Sequence, residues 1–318
     1  MMAQNGKKII HHKGRPGQIS MCLSTQFRMF INRSDWKVLP MSALVAAMVV
    51  YVTGQQMGVS MEGTLKGALA LACICVWNGF FNSIQVVCRE RDVIKREHRN
   101  GMHVSSYVFA HMINQAFICL AEVAITIAIC IFGGMKFTGA GYIFSSLFAE
   151  VCITLFLLTY ASDILSLFIS CIVKTSTTAM TIMPFMLIFE LVFADVVFKI
   201  GSGLKFLTNL SFAKWGVRCI AALFNYNSLP MTSMWTQVQK FKDVEIGGSK
   251  VVSDAINYIE ENNLVDTINQ AVGQYNQNAE FASTRVNIVI CWTTLAMFIV
   301  IFGILSIIAL ERIDRDKR

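Results

Sequence analysis

The sequence predicts an all-α membrane protein with six transmembrane helices, and three observations lead to this fold class. Of the 318 residues, 55% are hydrophobic and only 15% are charged, whereas about a quarter of the residues in soluble domains are charged. Stretches without a formal charge repeatedly reach the ~20 residues that a helix needs to cross a bilayer. The basic residues cluster in a few segments around those stretches. We therefore expect membrane lipids as partners and no nucleic acid, despite a net charge of +7.

Six apolar stretches are the predicted spans. Two of them are evident from the absence of charge alone. No charged residue occurs in the 22 positions of 67–88 or in the 24 positions of 287–310. The others are shorter or contain an acid or a histidine. The predicted spans cover residues 39–53, 67–88, 105–132, 142–173, 179–198 and 287–310. Residues 39–198 thus form one unit of five spans, and the sixth span follows after a long interval.

An amphipathic segment precedes the first span. Residues 1–38 hold seven Lys or Arg and one acid, and we expect them to form a cytoplasmic leader. Leu23, Phe27, Phe30 and Ile31 fall on one stripe of a helix. This pattern is typical of a helix that lies in the membrane interface instead of crossing it.

The long interval between the fifth and sixth spans, 199–286, is predicted to be an external loop with its own helices. Its apolar residues between 254 and 275 recur at helical intervals, which indicates short amphipathic helices that cap the membrane part. From 243 to 280 it holds seven acids and one base.

The distribution of basic residues predicts the orientation. Segments 1–38, 89–101, 172–178 and 311–318 together carry 17 of the 27 Lys and Arg. Basic residues accumulate on the cytoplasmic side of membrane proteins. We therefore expect both termini, including the tail 311–318, in the cytoplasm of a multi-pass protein of the cell membrane.

The run CRERDVIKREHRNG, directly after the second span, is unusually charged for a connection between two helices. It contains five Lys or Arg and three acids in fourteen residues. Asp92 and Arg96 are spaced to pair along a helix, while Val93 and Ile94 offer an apolar side. The run is either a solvated topology anchor or, over 89–101, a short helix that docks on another protein.

The same run, with the start of the third span, resembles the permease domains of ABC exporters of the G (White) subfamily and their bacterial relatives. The matching features are Glu90, Arg91, Arg96, Glu97, Gly101, Ser105, Ser106 and Tyr107. The span order, the leader and the large outer loop are also similar over roughly residues 20–310. In that family this element is the coupling helix, and the resemblance implies that Glu90, Arg91, Arg96, Glu97 and Gly101 transmit movement from an ATPase.

The resemblance also implies partners and a function. The sequence contains no G-x-x-x-x-G-K-[ST] phosphate loop, so a separate cytosolic ABC ATPase is expected to bind ATP and Mg and to hydrolyse ATP. The chain itself would be a permease without catalytic residues, cofactor or metal. It would pair with a second permease chain, identical or different, and export an amphipathic or lipid-like substrate by alternating access.

In the resembled family the transport path lies between the permease halves, along the second and fifth spans. The positions that match are Asn78, Phe81, Asn82, Met186, Phe189 and Phe193. Aromatic and methionine side chains form adaptable apolar surfaces, but they are equally common in ordinary packing. The apolar element that closes the cavity in that family is replaced here by FADVVF, which includes Asp195.

Five acids lie within or beside the predicted spans. Glu150 and Asp195 lie near span ends, whereas Glu122, Asp163 and Glu190 lie deeper, where an ionisable group is costly to insert. They are either paired structural groups or the lining of a polar path. An ion- or proton-coupled secondary transporter that uses the three deep acids is the alternative function. A membrane enzyme is disfavoured, because no nucleophile with a base and no metal-ligand spacing is evident.

Overall fold

The computed structural model describes residues 14–32, 35–53, 56–198, 200–244 and 250–312, and in these ranges all regular secondary structure is helical. The N-terminal part of the leader and most of the tail 311–318 lie outside the described residues. The first seven helices are α1 (Arg15–Asn32), α2 (Val38–Thr53), α3 (Met61–Ser83), α4 (Val86–Arg99), α5 (Val104–Phe132), α6 (Leu147–Ile172) and α7 (Ser176–Val192).

The segment between the fifth and sixth predicted spans also folds into helices. They are α8 (Lys205–Thr208), α9 (Phe212–Leu223), α10 (Ser233–Gln239), α11 (Val251–Glu261) and α12 (Val265–Tyr275), and α13 (Arg285–Glu311) follows. Short 3₁₀ helices cover Asp35–Lys37, Ser202–Leu204, Tyr226–Ser228 and Ala279–Phe281. The expected amphipathic helices of this segment are α11 and α12.

Five helical stretches among the described residues are long and apolar enough to cross a membrane. They are Asp35–Thr53, Met61–Arg99, Val104–Phe132, Leu147–Ile172 and Arg285–Glu311. The fifth predicted span corresponds to α7, which is apolar but has only 17 residues. At a rise of 1.5 Å per residue such a helix is about 26 Å long, a little under the ~30 Å hydrocarbon core.

The boundaries of α3 and α6 differ from the predicted spans. α3 ends at Ser83 and not at 88, and the charged helix α4 covers Val86–Arg99 and not 89–101. α3 begins six residues before 67, because the Ser60 hydroxyl caps it by accepting from the Gly63 amide at 3.1 Å, and Glu62 in its first turn accepts from the amides of Thr232 and Ser233 at 3.3 and 2.9 Å. α6 begins at Leu147 and not at 142, because Glu150 Oε1 binds the two amides of 143 and 144 and holds that stretch as a turn.

α7 ends six residues before the predicted limit of the fifth span. Its last helical residue is Val192, and Asp195 shortly after it has a φ of +59°. A left-handed conformation is uncommon for residues other than glycine and cannot continue an α-helix. The FADVVF segment is therefore a turn and not a helical extension.

α3 and α6 form the centre of the bundle, and Gly79 permits their close contact. A Cβ atom at Gly79 would lie 2.4 Å from the carbonyl oxygen of Thr159 and 2.7 Å from the amide of Asp163. The Ser166 hydroxyl donates to the Gly79 carbonyl at 3.2 Å. α9 belongs to this core, since most of its residues are buried and its Phe212 packs against the aromatic rings of Phe298 and Phe302 of α13.

Candidate functional site

The charged run after the second span forms a helix of its own. A two-residue turn, Ile84 and Gln85, separates α4 from α3. Gly101 ends α4 with a φ of +98°, and its amide donates to His98 O while the amide of Met102 donates to Glu97 O, both at 3.0 Å. This is the Schellman arrangement, which favours glycine at the left-handed position.

The inner side of α4 is fixed to two other helices. Arg91 Nη1 donates to the carbonyl oxygens of Cys171 and Val173 at 3.1 and 3.0 Å, at the end of α6. These carbonyls lack partners within their own helix, so a cation is favourable there. Glu90 is buried and accepts a hydrogen bond from the Tyr107 hydroxyl of α5 at 3.0 Å. A displacement of α4 would therefore be transmitted directly to α5 and α6.

The exposed side of α4 is mainly charged, with three basic and two acidic residues. Its exposed residues are Arg89, Asp92, Val93, Arg96, Glu97, Arg99 and Asn100. Of the residues assigned to coupling by resemblance, Arg96 and Glu97 are thus on the surface. Glu90 and Arg91 face inward, and Gly101 ends the helix.

The leader helix α1 is attached to the corner between α4 and α5. The Gln18 side chain donates to the Gly101 carbonyl at 3.2 Å and accepts from the His103 amide at 2.9 Å. Glu97 and Cys22 line the same groove between α1 and α4. Burial, and next the negative charge of Glu97, raise the pKa of the Cys22 thiol. α1, α4 and the start of α5 thus form one connected surface.

A polar cluster lies between α3, α5 and α6, deep in the bundle. The Ser83 hydroxyl donates to Asp163 Oδ1 at 2.6 Å. Gln115 Nε2 donates to Ser83 Oγ at 2.9 Å, and His111 Nε2 lies 3.0 Å from the same oxygen. Since a hydroxyl has a single hydrogen, His111 must donate in this arrangement.

Glu122 belongs to the same polar region through Asn82. The Asn82 amide donates to Glu122 Oε2 at 2.8 Å, and the Asn82 carbonyl accepts from Gln115 at 3.3 Å. Two of the three deep acids, Glu122 and Asp163, are therefore joined through neighbouring residues of α3.

Glu190, the third deep acid, has different partners. Its Oε2 accepts from the Ser211 hydroxyl at 2.9 Å and from the Ala213 amide at 3.0 Å. These groups form the first turn of α9, where orphan amides and the helix dipole favour a carboxylate. Glu190 thus attaches α7 to α9 and shares no described hydrogen-bond partner with Glu122 or Asp163.

A cavity of about 280 Å³ opens beside the polar cluster, between α1, α3, α5 and the start of α4. Phe81 and Asn82, predicted for the substrate cavity, are part of its wall, as are His111 and Gln115. The remaining predicted positions do not line it. Asn78 donates instead to Ser42 of α2 at 2.7 Å.

Of the three predicted cavity residues of the fifth span, Met186 and Phe189 lie on α7 and Phe193 directly follows its last residue. Met186 and Phe189 are half-buried on the helix, and the ring of Phe189 packs against that of Phe193 with centroids 4.6 Å apart. Met186, Phe189 and Phe193 do not line the cavity that contains Phe81 and Asn82, although Met180 of α7 does.

Several polar residues of the site were not singled out from the sequence. They are Gln26, Ser83, His111, Asn114 and Gln115. They could have been found as polar side chains inside apolar stretches. Such a side chain raises the free energy of membrane insertion unless it is paired, so its presence indicates a structural or functional role. Among the described residues no group of three His, Cys, Asp or Glu has the arrangement of a metal site.

The family model of ABC-2 type transporters matches residues 17–225, about two thirds of the chain. The match covers α1 to α9 and therefore includes α4 and the polar cluster. No curated protein matches the sequence.

Proposed function

The chain belongs to the ABC-2 type transporter family and is a multi-pass membrane permease, and from this premise we propose that it exports an amphipathic or lipid-like substrate. The energy would come from a separate cytosolic ABC ATPase, which binds ATP and Mg. Two permease chains, identical or different, would form the transport path between them. The family match and the sequence resemblance support this proposal.

The proposed topology has six spans, with α7 as the fifth. Both termini and α4 would lie in the cytoplasm, and α10 to α12 would lie outside the cell membrane, whereas α9 packs against α13 within the bundle. The concentration of basic residues around α1 and α4 supports this orientation, since 17 of the 27 Lys and Arg occupy the segments assigned to the cytoplasm.

The observation that carries the proposed coupling is the two-sided character of α4. Its inner side binds α5 through Glu90 and α6 through Arg91. Its exposed residues include Arg96 and, at the groove towards α1, Glu97. A topology anchor requires only positive charge, and it gains nothing from such inner contacts. A helix that transmits movement requires both sides.

The alternative of an ion-coupled transporter depended on a relay of three deep acids. Glu190 is held by the first turn of α9, so only Glu122 and Asp163 remain within one polar cluster. This arrangement and the family match favour an ATP-driven permease.

The test is a charge reversal, Glu97→Lys, compared with Asp316→Lys in the tail. Both changes add the same charge on the side predicted to be cytoplasmic, so a topology anchor tolerates both equally. We expect Glu97→Lys to insert normally but to lose most of the co-purifying ATPase or its substrate-stimulated hydrolysis, while Asp316→Lys behaves as the native chain. Normal transport with fully bound ATPase in the Glu97→Lys complex would refute the coupling role.

A further inference from the structure

A polar cavity of about 470 Å³ lies at the end of the bundle opposite to α4. Its wall is formed by the segment after α9, by α12 and by the segment before α13. The Pro230 carbonyl, next to this wall, accepts from the amide of Met61, the first residue of α3, at 3.0 Å. α4 follows the other end of α3, which has 23 residues and is about 35 Å long. In the proposed topology the cavity therefore faces the exterior.

The wall of this cavity, called the amide cavity below, consists mainly of neutral polar side chains. Five of its nine residues carry a side-chain amide, and two more are serines. The amide-bearing residues are Asn225, Asn227, Gln270, Gln274 and Gln277. None of these nine described wall residues is charged. Because a charged ligand would lose hydration there without gaining a counter-charge, the wall favours an uncharged ligand.

The neutral wall contrasts with the acidic segment that surrounds it. Residues 243–280 hold seven acids and one base. Glu280 lies in sequence between two wall residues, yet its carboxylate is directed to Lys214 Nζ at 3.9 Å. Glu260 pairs with Lys242 at 3.1 Å. The acids nearest in sequence thus have partners elsewhere, and the amide cavity stays neutral.

Backbone contacts fix the segments that carry the wall. Asn227 Nδ2 donates to the Asn278 carbonyl at 3.0 Å, and the Asn278 amide donates back to Asn227 Oδ1 at 2.9 Å. The Ser283 hydroxyl donates to the Ala222 carbonyl at 2.7 Å. A Cβ at Gly273 of α12 would lie 2.7 Å from the Leu229 carbonyl oxygen. The cavity is therefore held in shape before a ligand binds, which lowers the entropic cost of binding.

Several amide groups of the wall are accessible and have no partner within the described ranges. Gln270 and Gln274 lie one turn apart on α12, and both side chains are exposed and make no hydrogen bond there. The exposed Gln277 uses its Nε2 to donate to the Asn227 carbonyl at 3.2 Å, which leaves its Oε1 for a ligand. Asn225 Oδ1 accepts from the Tyr142 hydroxyl, which leaves the Asn225 Nδ2 donor.

These free groups define the chemistry of the ligand. They include both donors and acceptors, and a hydroxyl group can serve either kind. The volume of about 470 Å³ lies within the roughly 300–1,000 Å³ of small-molecule sites. Most such sites are lined by apolar side chains with a few polar groups, whereas here the proportion is reversed. The wall therefore suits a ligand with many hydroxyl groups and little apolar surface.

We propose that the amide cavity binds an uncharged, hydroxyl-rich carbohydrate, with Gln270 and Gln274 as its main contacts. This ligand differs in class from the amphipathic substrate proposed above, and its site shares no residue with the cavity beside the polar cluster. The proposal rests on the proposed topology only for the side of the membrane on which the carbohydrate is met.

The experiment applies the full chain in lipid nanodiscs to an array of immobilised oligosaccharides, some uncharged, some with carboxylates and some with amines. We expect saturable binding to a subset of the uncharged oligosaccharides. The double variant Gln270→Ala with Gln274→Ala should need at least tenfold more protein for half-saturation, and tenfold corresponds to 1.4 kcal/mol. Both positions are exposed on a helix, and alanine is the best helix former, so the melting temperature should stay at the native value.

Three controls separate this site from an ordinary hydrated surface. Gln237→Ala, which removes an exposed amide on α10 outside the wall, should bind as the native chain does. Gln274→Glu keeps the size of the side chain but replaces its donor with a charge, so it should also weaken binding. Oligosaccharides with a carboxylate or an amine should bind at least tenfold more weakly than the uncharged ones.

Competition identifies the source of the carbohydrate. If a glycolipid with the bound oligosaccharide as its headgroup blocks the array when built into the nanodisc, a membrane lipid can supply the ligand. If only the free oligosaccharide in solution blocks the array, the ligand is a soluble or polymeric carbohydrate.

Three results would overturn the proposal. They are no saturable binding to any uncharged oligosaccharide, equal binding of the charged ones, and undiminished binding by both the double variant and Gln274→Glu. None of them would affect the proposed export function, which is tested at α4 with the ATPase.

Discussion

Gly79→Ala, in the centre of α3, is expected to destabilise the bundle although alanine is the better helix former. The new Cβ would lie 2.4 Å from the Thr159 carbonyl oxygen and 2.7 Å from the Asp163 amide. Both atoms belong to the backbone of α6, so neither can turn away as the end of a side chain can. The two helices must separate.

The expected magnitude follows from three contributions. Overpacking of a core costs about 1–3 kcal/mol. The Ser166 hydroxyl shares its one hydrogen between the Gly79 carbonyl at 3.2 Å and the Asp163 carbonyl at 2.8 Å, so its contact with α3 contributes at most about 1 kcal/mol, which separation would weaken. The higher helix propensity of alanine relative to glycine stabilises α3 by about 1 kcal/mol. The net loss in the free energy of unfolding is therefore about 1–3 kcal/mol, which for 318 residues lowers the melting temperature by roughly 1.5 to 4.5 °C.

Gly67→Ala on the same helix is the matched control. There the new Cβ meets only the side chain of Met57, at 3.2 to 3.4 Å, and a methionine side chain adapts easily. We expect this variant to match the native chain or to exceed it slightly in stability.

Unfolding can be followed in detergent with a thiol-reactive dye, because the chain supplies its own buried reporters. They are Cys75, Cys88, Cys119, Cys130, Cys171, Cys219 and Cys291. Gly79→Ala that melts at or above the temperature of Gly67→Ala would refute the inference that α3 and α6 touch through their backbones at this point.

Two further predictions concern α7 and the topology. Phe189→Ala should change which compounds stimulate transport and lower stability only by about 0.5–1.5 kcal/mol, the worth of its pairing with Phe193. Phe212→Ala, which removes a fully buried ring, should cost about 3–5 kcal/mol, and an equal loss for Phe189→Ala in thermal denaturation would assign Phe189 to packing. In a cysteine-free background, an impermeant thiol reagent applied to intact cells should label Asp254→Cys on α11 but not Arg96→Cys on α4. The opposite pattern would reverse the proposed orientation.

The sequence was sufficient to predict the helical class and the approximate positions of the membrane helices, because long apolar stretches admit few other structures. It did not predict the exact ends of three of them. Ser60 caps the start of α3, and Glu150 sets where α6 begins by accepting from two amides that precede the helix; neither contact leaves a signal in the hydrophobic periodicity. The end of α7 depends on the left-handed Asp195, which no local pattern required.

Resemblance assigned five residues of α4 and its end to coupling, but it did not distinguish buried residues from exposed ones. The helix was predictable from its charge pattern, and Gly101 is recognisable as a helix terminator. Sequence could not separate Glu90, which is buried against Tyr107, from Glu97, which is exposed seven residues later. Two full turns of a helix bring both glutamates to one side, so only the position of α1 and α5 decides which of them is covered.

The amino-acid sequence alone does not predict which partners the three deep acids bind. Glu122, Asp163 and Glu190 are equally costly to insert by any scale that considers one residue at a time. Their partners differ in kind, however. Glu190 accepts hydrogen bonds from the first turn of α9. One donor there is the backbone N–H of Ala213, which every residue except proline would supply. Asp163 depends on the Ser83 hydroxyl and Glu122 on the Asn82 amide, both side chains of α3. The bonds of Glu190 fix α9 to α7. The bonds of Asp163 and Glu122 tie α6 and α5 to α3, the helix that leads directly into α4.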